Sequence, residues 1–161
     1  MRITEKAIAN LEMIKSEIPI WIKDAIFENA DFIINILQDN QLSKGFDSSG
    51  SVVGVYSWAT DAFYNKGQNK ATQPKEAGTA YNFEWSGDFF DSMNIKVNSV
   101  EQGFDIYSTT GKDKFLEKQF NSKLTKNSKL TKLNKENNDY INQKILEPYI
   151  SKKIMESILN F

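Results

Sequence analysis

From Thr4 to about Asp39 the apolar side chains recur three and four residues apart: Ile8, Leu11 and Ile14, then Ile18, Ile22, Ala25 and Ile26, then Phe32, Ile33, Ile36 and Leu37. That is the helical period, and it predicts one long amphipathic helix or two in series. Pro19 cannot donate to the preceding turn. The pattern therefore predicts a kink near Glu17, or a second helix opened by Pro19 and capped by Ser16. The stripe is wide, with Trp21 and Phe27 off its centre, and reads either as a helix lying on a sheet or as one that keeps part of the stripe for a subunit interface.

After Asn40 the period changes. Gly45-Phe46-Asp47-Ser48-Ser49-Gly50-Ser51 reads as a turn, and Val52 to Tyr56 as a short strand with a glycine in its middle. The aspartate-serine-glycine cluster lacks the repeated carboxylates and the later bidentate glutamate of a calcium loop, so a plain turn is the reading. Trp58 to Lys66 predicts a short helix ended by Gly67. Gln68 to Ala80 offers almost nothing to bury and predicts a mobile connection. Tyr81 to Trp85 alternates aromatic and polar residues like a half-buried strand, Gly87 turns the chain, and Ser86 or Asp88 caps a short helix carrying Phe89, Phe90 and Met93.

Asn94 to Val100 and Phe104 to Thr109 alternate again and predict an antiparallel hairpin around Glu101-Gln102-Gly103, with Ile95, Val97, Phe104, Ile106 and Tyr107 buried or partly buried. Lys114 to Phe120 predicts a brief helix with Phe115, Leu116 and Phe120. A final helix spans about Glu136 to Leu159, bent or broken at Pro148. The order predicts an α+β domain: a small antiparallel sheet packed against a long N-terminal helix and a C-terminal helix, with extended loops. One domain covers residues 1–161, made of a long helix (1–39), a strand and loop core (40–111), a basic linker (112–135) and the C-terminal helix (136–161).

Composition removes much chemistry. With 161 residues, 40% of them hydrophobic, the chain suits one core, and it has no cysteine and no histidine. That excludes a thiolate nucleophile, a Ser-His-Asp triad, a thiolate or imidazole zinc site and a disulfide framework. Asp88 and Asp91, and Asp24, Glu28 and Asp31, are carboxylates at one-face spacing, but no phosphate-cradling loop or nucleophile with a base completes a site. No catalytic residue, cofactor or metal site is expected. The charged N-terminal stretch does not read as a secretory signal, and no segment has the length of a membrane span.

The formal net charge of -1 hides an uneven distribution: residues 112–135 hold eight lysines and two acids, whereas residues 1–50 hold five basic and eight acidic side chains. Within the basic segment Lys-Leu-Thr-Lys occurs twice, and lysines recur every third position from Lys123 to Lys135. An extended chain would turn that spacing into a single basic edge. Lys123, Lys126, Lys129 and Lys132 are the candidate contacts to phosphate or to an acidic partner, in a segment that otherwise reads as a solvated linker.

Gly45-Phe46-Asp47-Ser48-Ser49-Gly50 through Tyr56-Ser57, then Lys66-Gly67, then Phe83-Glu84-Trp85-Ser86-Gly87-Asp88-Phe89-Phe90-Asp91-Ser92-Met93 resembles tailed-phage tail-completion and virion-morphogenesis proteins, of the kind found in phages of Bacteroidetes. The helix Asn138 to Leu159 looks like the C-terminal helix of that group. Ser86 stands where threonine is commoner, and arginine is nearly absent where it is usual. The resemblance implies a structural virion protein, assembled in the bacterial host cytoplasm, that forms with copies of itself the ring joining capsid portal to tail. Neighbours would be other neck, portal or tail proteins, with non-specific DNA contact and no membrane. Trp21, Phe27, Trp85, Phe89, Phe90 and Phe161 are the expected subunit interface. The alternative is a small intracellular nucleic-acid-binding module using residues 112–135.

Overall fold

A computed structural model describes residues 3–65, 74–84, 87–98 and 103–159. The chain is α+β. Helix α1 spans Ile3–Glu28 and α2 Ala30–Leu37, the latter continued by a π-helical turn over Gln38–Leu42. Helix α3 is Trp58–Asn65 and α4 is Asp88–Asp91. Strands β1, Met93–Asn98, and β2, Gly103–Ser108, form a two-stranded antiparallel sheet. Helix α5 is Lys112–Phe120, α6 is Lys135–Ile141, a second π turn covers Asn142–Leu146, and α7 is Glu147–Leu159.

Helix α1 runs through Pro19 without a break. The carbonyl deprived of its donor there belongs to Lys15, whose exposure leaves it to water. The expected interruption falls instead at Asn29, whose side chain turns back to donate to the Ala25 carbonyl at 2.8 Å. Pro148 acts as expected in a specific form. It cannot donate to Lys144, and the turn ahead of it widens to the π form, with the Glu147 amide bonding the Asn142 carbonyl.

Among the described residues only two strands form. Met93, Ile95 and Val97 pair with Ser108, Ile106 and Phe104 on the inner face, and Asn94 and Lys96 with Tyr107 and Asp105 on the outer face, so Tyr107 is exposed rather than buried. Val52 to Tyr56 makes only single bridges, Phe46 with Val52 and Val55 with Ala80. Residues 81–84 are not a strand, and Phe83 takes a φ of +50°. Trp85 and Ser86 lie outside the described residues. Residues 81–84 are held off a ladder by a tight crossing at Tyr81: a Cβ on Gly45 would stand 2.5 Å from the Tyr81 carbonyl oxygen, and one on Gly54 would stand 2.7 Å from its ring. Helix α4 follows Gly87, Asp88 pairs with Lys112 at 2.6 Å, and the other expected cap, Ser86, lies outside the described residues.

One buried cluster gathers Ala25, Ile26, Ile33 and Leu37 from α1 and α2, Ile95 and Ile106 from the sheet, Leu130 and Leu133, and Ile141 and Ile145. Leu130 is the surprise. Residues 112–135, expected as a basic linker, are helical to Phe120 and then fold against the turn at 45–51. Phe115, by contrast, points outward. The Thr125 amide and Ser128 hydroxyl both donate to Asp47 Oδ2, at 2.9 and 2.6 Å, while the Ser49 amide donates to Oδ1 at 2.8 Å. Ser48 and Lys129 exchange two further bonds of 3.0 Å. Gln41, fully buried, donates to the Lys132 carbonyl and accepts from the Asn134 amide, both at 2.8 Å. Asn134 in turn caps α6 by accepting from the Asn137 amide at 2.9 Å.

Burial alone would raise the Asp47 pKa, but bonds from Ser128, Ser49 and Thr125 outweigh it and hold the carboxyl well below the usual carboxylate range. The stability this carboxylate confers is complete above its unfolded value of about 3.9 and drains away as pH falls below it. Asp47→Ala should cost about 2–4 kcal/mol at neutral pH, since it removes the charged acceptor shared by Ser49, Thr125 and Ser128. Asp47→Asn should in addition flatten the loss of stability below about pH 4, read from urea midpoints across the acid range. Leu130→Ala should cost about 2–5 kcal/mol, against at most about 0.5 for Lys126→Glu.

Candidate functional site

The apolar stripe of α1 changes environment along its length. Ile14, Trp21, Ala25 and Ile26 are buried and Ile18 and Ile22 half-buried, but Ile8 and Leu11, on the same stripe, are 58% and 66% exposed. The cause is a difference in length. Helix α7, which packs on α1 and donates a Tyr149 hydroxyl bond to Glu28 at 3.0 Å, has 13 residues against 26. At 1.5 Å per residue it spans about 20 Å and covers at most half of α1. None of residues 5–13 is buried. The end of α7 is apolar and open as well, with Met155, Ile158 and Leu159 at 62%, 59% and 80%.

The expected interface residues divide. Phe27 is exposed, with Lys23 over its ring at 6.0 Å. Trp21 and Phe89 are buried within the chain, and Phe90 is half-buried against the core with its carbonyl accepting from Gln38 at 2.9 Å. These three therefore face their own fold, Trp21 from α1 and Phe89 and Phe90 from α4. Trp85 and Phe161 lie outside the described residues. Sequence reasoning missed Trp58 on α3, 83% exposed; Phe63 on the same helix and Val52 and Val55 ahead of it are also open. The signal was present in the short helix, which has more apolar side chains than its single contact face needs.

The four lysines do not form one basic edge. Lys123 sits over the rings of Tyr81 and Phe120 and bonds the Tyr81 hydroxyl. Lys126 is exposed, and Lys129 and Lys132 line a cleft that also holds Asp105, Asp113 and Glu117. The turns that carry Asp47's partners rotate successive lysines apart.

Residues 66–73 lie outside the described residues, but 74–80, expected within a mobile connection, are folded. The Ala77 amide donates to Asp61 at 2.9 Å, and main-chain bonds join Tyr56 with Gly78 and Thr79. Lys75 is only 2% exposed. Its ammonium reaches the Asn82 side-chain oxygen and the Glu84 carbonyl and lies 5.2 Å from the centre of the Tyr56 ring. Asn82 also accepts from the Tyr56 hydroxyl at 2.8 Å. Burial pushes Lys75 down to about 8 against the opposing pull of Glu84, and burial raises Tyr56. A lowered lysine pKa is a familiar mark of a reactive amine, but this one is enclosed by its own loop and serves as a structural post.

Among the described residues no group of three or more acids is placed to hold a metal ion, and no helix is long and apolar enough to cross a membrane. Comparison of the chain with family models, with curated proteins and with solved structures finds no match. The functional argument therefore rests on the surfaces themselves.

Lys75 leaves a pH signature. Its folded pKa lies below the unfolded value of about 10.4, so from about pH 8 upward the unfolded chain holds more protons and stability should rise with pH. The raised Tyr56 reverses the slope from about pH 10, where the unfolded chain ionises first. Lys75→Met should abolish the rise while leaving the reversal, as measured by urea midpoints across the alkaline range.

Proposed function

We propose that this chain is a structural assembly subunit that packs against copies of itself through the open end of the α1 stripe and the tip of α7. The observation that carries the reading is the continuity of the stripe: side chains at helical spacing are buried at Ile14 and beyond, and bare at Leu11 and Ile8. Exposed apolar side chains that extend an internal packing face mark a surface awaiting a partner. Two different apolar surfaces, α1 with α7 and Trp58 with Phe63, suit a heterologous contact, in which each subunit offers a different face to each neighbour and the set closes as a ring.

The resemblance of the Gly45 to Ser57 and Phe83 to Met93 segments to tail-completion proteins supports the specific form of this reading. In that form the chain belongs to the neck ring between capsid portal and tail in the virion, and acts by assembly rather than turnover. Ring contacts would be made by Ile8, Leu11, Phe27, Met155, Ile158 and Leu159, while Trp21 and Phe89 hold the subunit together. The dispersed lysines argue against the nucleic-acid module, which needs its positive charge gathered along one path.

Sedimentation velocity of the unmodified chain should give one defined multimer. Leu11→Glu combined with Ile158→Glu should return it to a monomer with a melting curve within about 0.5 kcal/mol of the parent, because both positions are already solvent-facing in the single chain. A chain that stays monomeric at every concentration, or one that binds duplex DNA as a monomer with steep salt dependence, would contradict the reading.

A further inference from the structure

A cleft of about 650 Å³ lies between β2, α5, residues 127–133, the C-terminal helices and Ile26 of α1. Five consecutive residues of β2, Gly103 to Tyr107, line it. Side chains alternate across a strand, so five in succession meet one cavity only when that cavity runs along the strand's edge. β2 has β1 on one edge and, among the described residues, no strand on the other. Nor do residues 103–107 make a main-chain hydrogen bond outside the hairpin among the described residues. An open strand edge is a template for another strand unless it is covered.

The opposite wall is built and charged. Lys114 and Glu117 project from α5, and Lys129 and Lys132 from the folded limb, which Glu117 secures by accepting from the Leu130 amide at 3.1 Å. Asp113 lies in the same cleft and is 7% exposed. Its Oδ1 is buried and accepts no hydrogen bond among the described residues. A buried carboxylate oxygen is costly to leave unbonded, and it calls for a donor from outside the described residues. A basic side chain entering the cleft would be such a donor, and a charge-assisted bond to it is stronger than a neutral one.

We infer that the cleft binds an extended peptide which adds a third strand to the free edge of β2 and delivers a lysine or arginine side chain to Asp113. Main-chain bonds to β2 supply sequence-independent affinity, and Asp113 supplies the choice. β2 has six residues, which matches a peptide of similar length. Lys114, Lys129 and Lys132 favour acidic residues beside the basic one. The site does not depend on ring formation, and a monomer would carry it equally.

The immobilised full-length chain, panned with a displayed random heptapeptide library alongside its Asp113→Asn variant, tests this directly. Enriched peptides should carry Lys or Arg at one fixed position. A synthetic copy should bind the Asp113→Asn protein about tenfold more weakly or worse and should slow amide exchange at residues 103–107 of the parent. Should the variant not fold, alternate N-methylation of the peptide supplies a second measurement on the unmodified protein, and it should abolish binding. Four results would overturn the inference: no enrichment; winners without a basic residue; binding indifferent to N-methylation; or exchange at 103–107 that slows with protein concentration alone, which would make the occupant a second copy.

Discussion

A single buried carboxylate organises the middle of this protein. Asp47 accepts from Ser49 within its own turn and from Thr125 and Ser128 nearly eighty residues later, so it closes a long loop with hydrogen bonds to a charged acceptor. Such bonds are stronger than neutral ones, and all of them are lost together once the acceptor is gone. Gln41 repeats the device a few residues upstream, where it holds Lys132 and Asn134 and through Asn134 sets the start of α6. With both ends held, Leu130 and Leu133 drop into the core between helices and sheet. The basic limb is therefore part of the fold, and the cleft beside β2 exists because the limb is fixed in place.

That arrangement explains which parts of the architecture can be read from residues in order. The α1 stripe, the hairpin and the C-terminal helix are local patterns with the periods of 3.6 and 2, and each is found close to where its period places it. The limb is different in kind. Lys123 to Lys132 has the composition of a solvated linker, and the partners that fold it, Asp47 and Gln41, are distant in sequence and carry no periodic signal. The same holds for Lys75. Nothing near it predicts burial, because its enclosure depends on Asn82, Glu84 and Tyr56 meeting around it. Tyr81 to Trp85 misled for the opposite reason: its alternation is real, but residues 81–84 are committed to that enclosure and to the crossing at Gly45 and Gly54, not to a ladder.

The candidate surfaces were legible in outline. Breadth in the α1 stripe indicated more apolar area than one sheet covers, and of the two residues off its centre Phe27 is exposed and Trp21 is not. Trp21 is buried inside the chain, while the stripe itself opens at the N-terminal end, at Ile8 and Leu11, where α7 no longer reaches. Only helix lengths decide this, and Pro148 and the π turn before it place the start of α7. Phe89 followed the same rule on a smaller scale, since a four-residue helix has one apolar side and spends it on the core.

The account requires that the first turns of α1 and the last turn of α7 find cover in another copy. Hydrogen exchange of the backbone, followed by mass spectrometry across a wide range of protein concentration, reads this at the residues concerned. Residues 5–13 and 155–159 should become protected as concentration rises, with the Asp47 turn and the core protected throughout. Free exchange of both segments at every concentration would contradict the account.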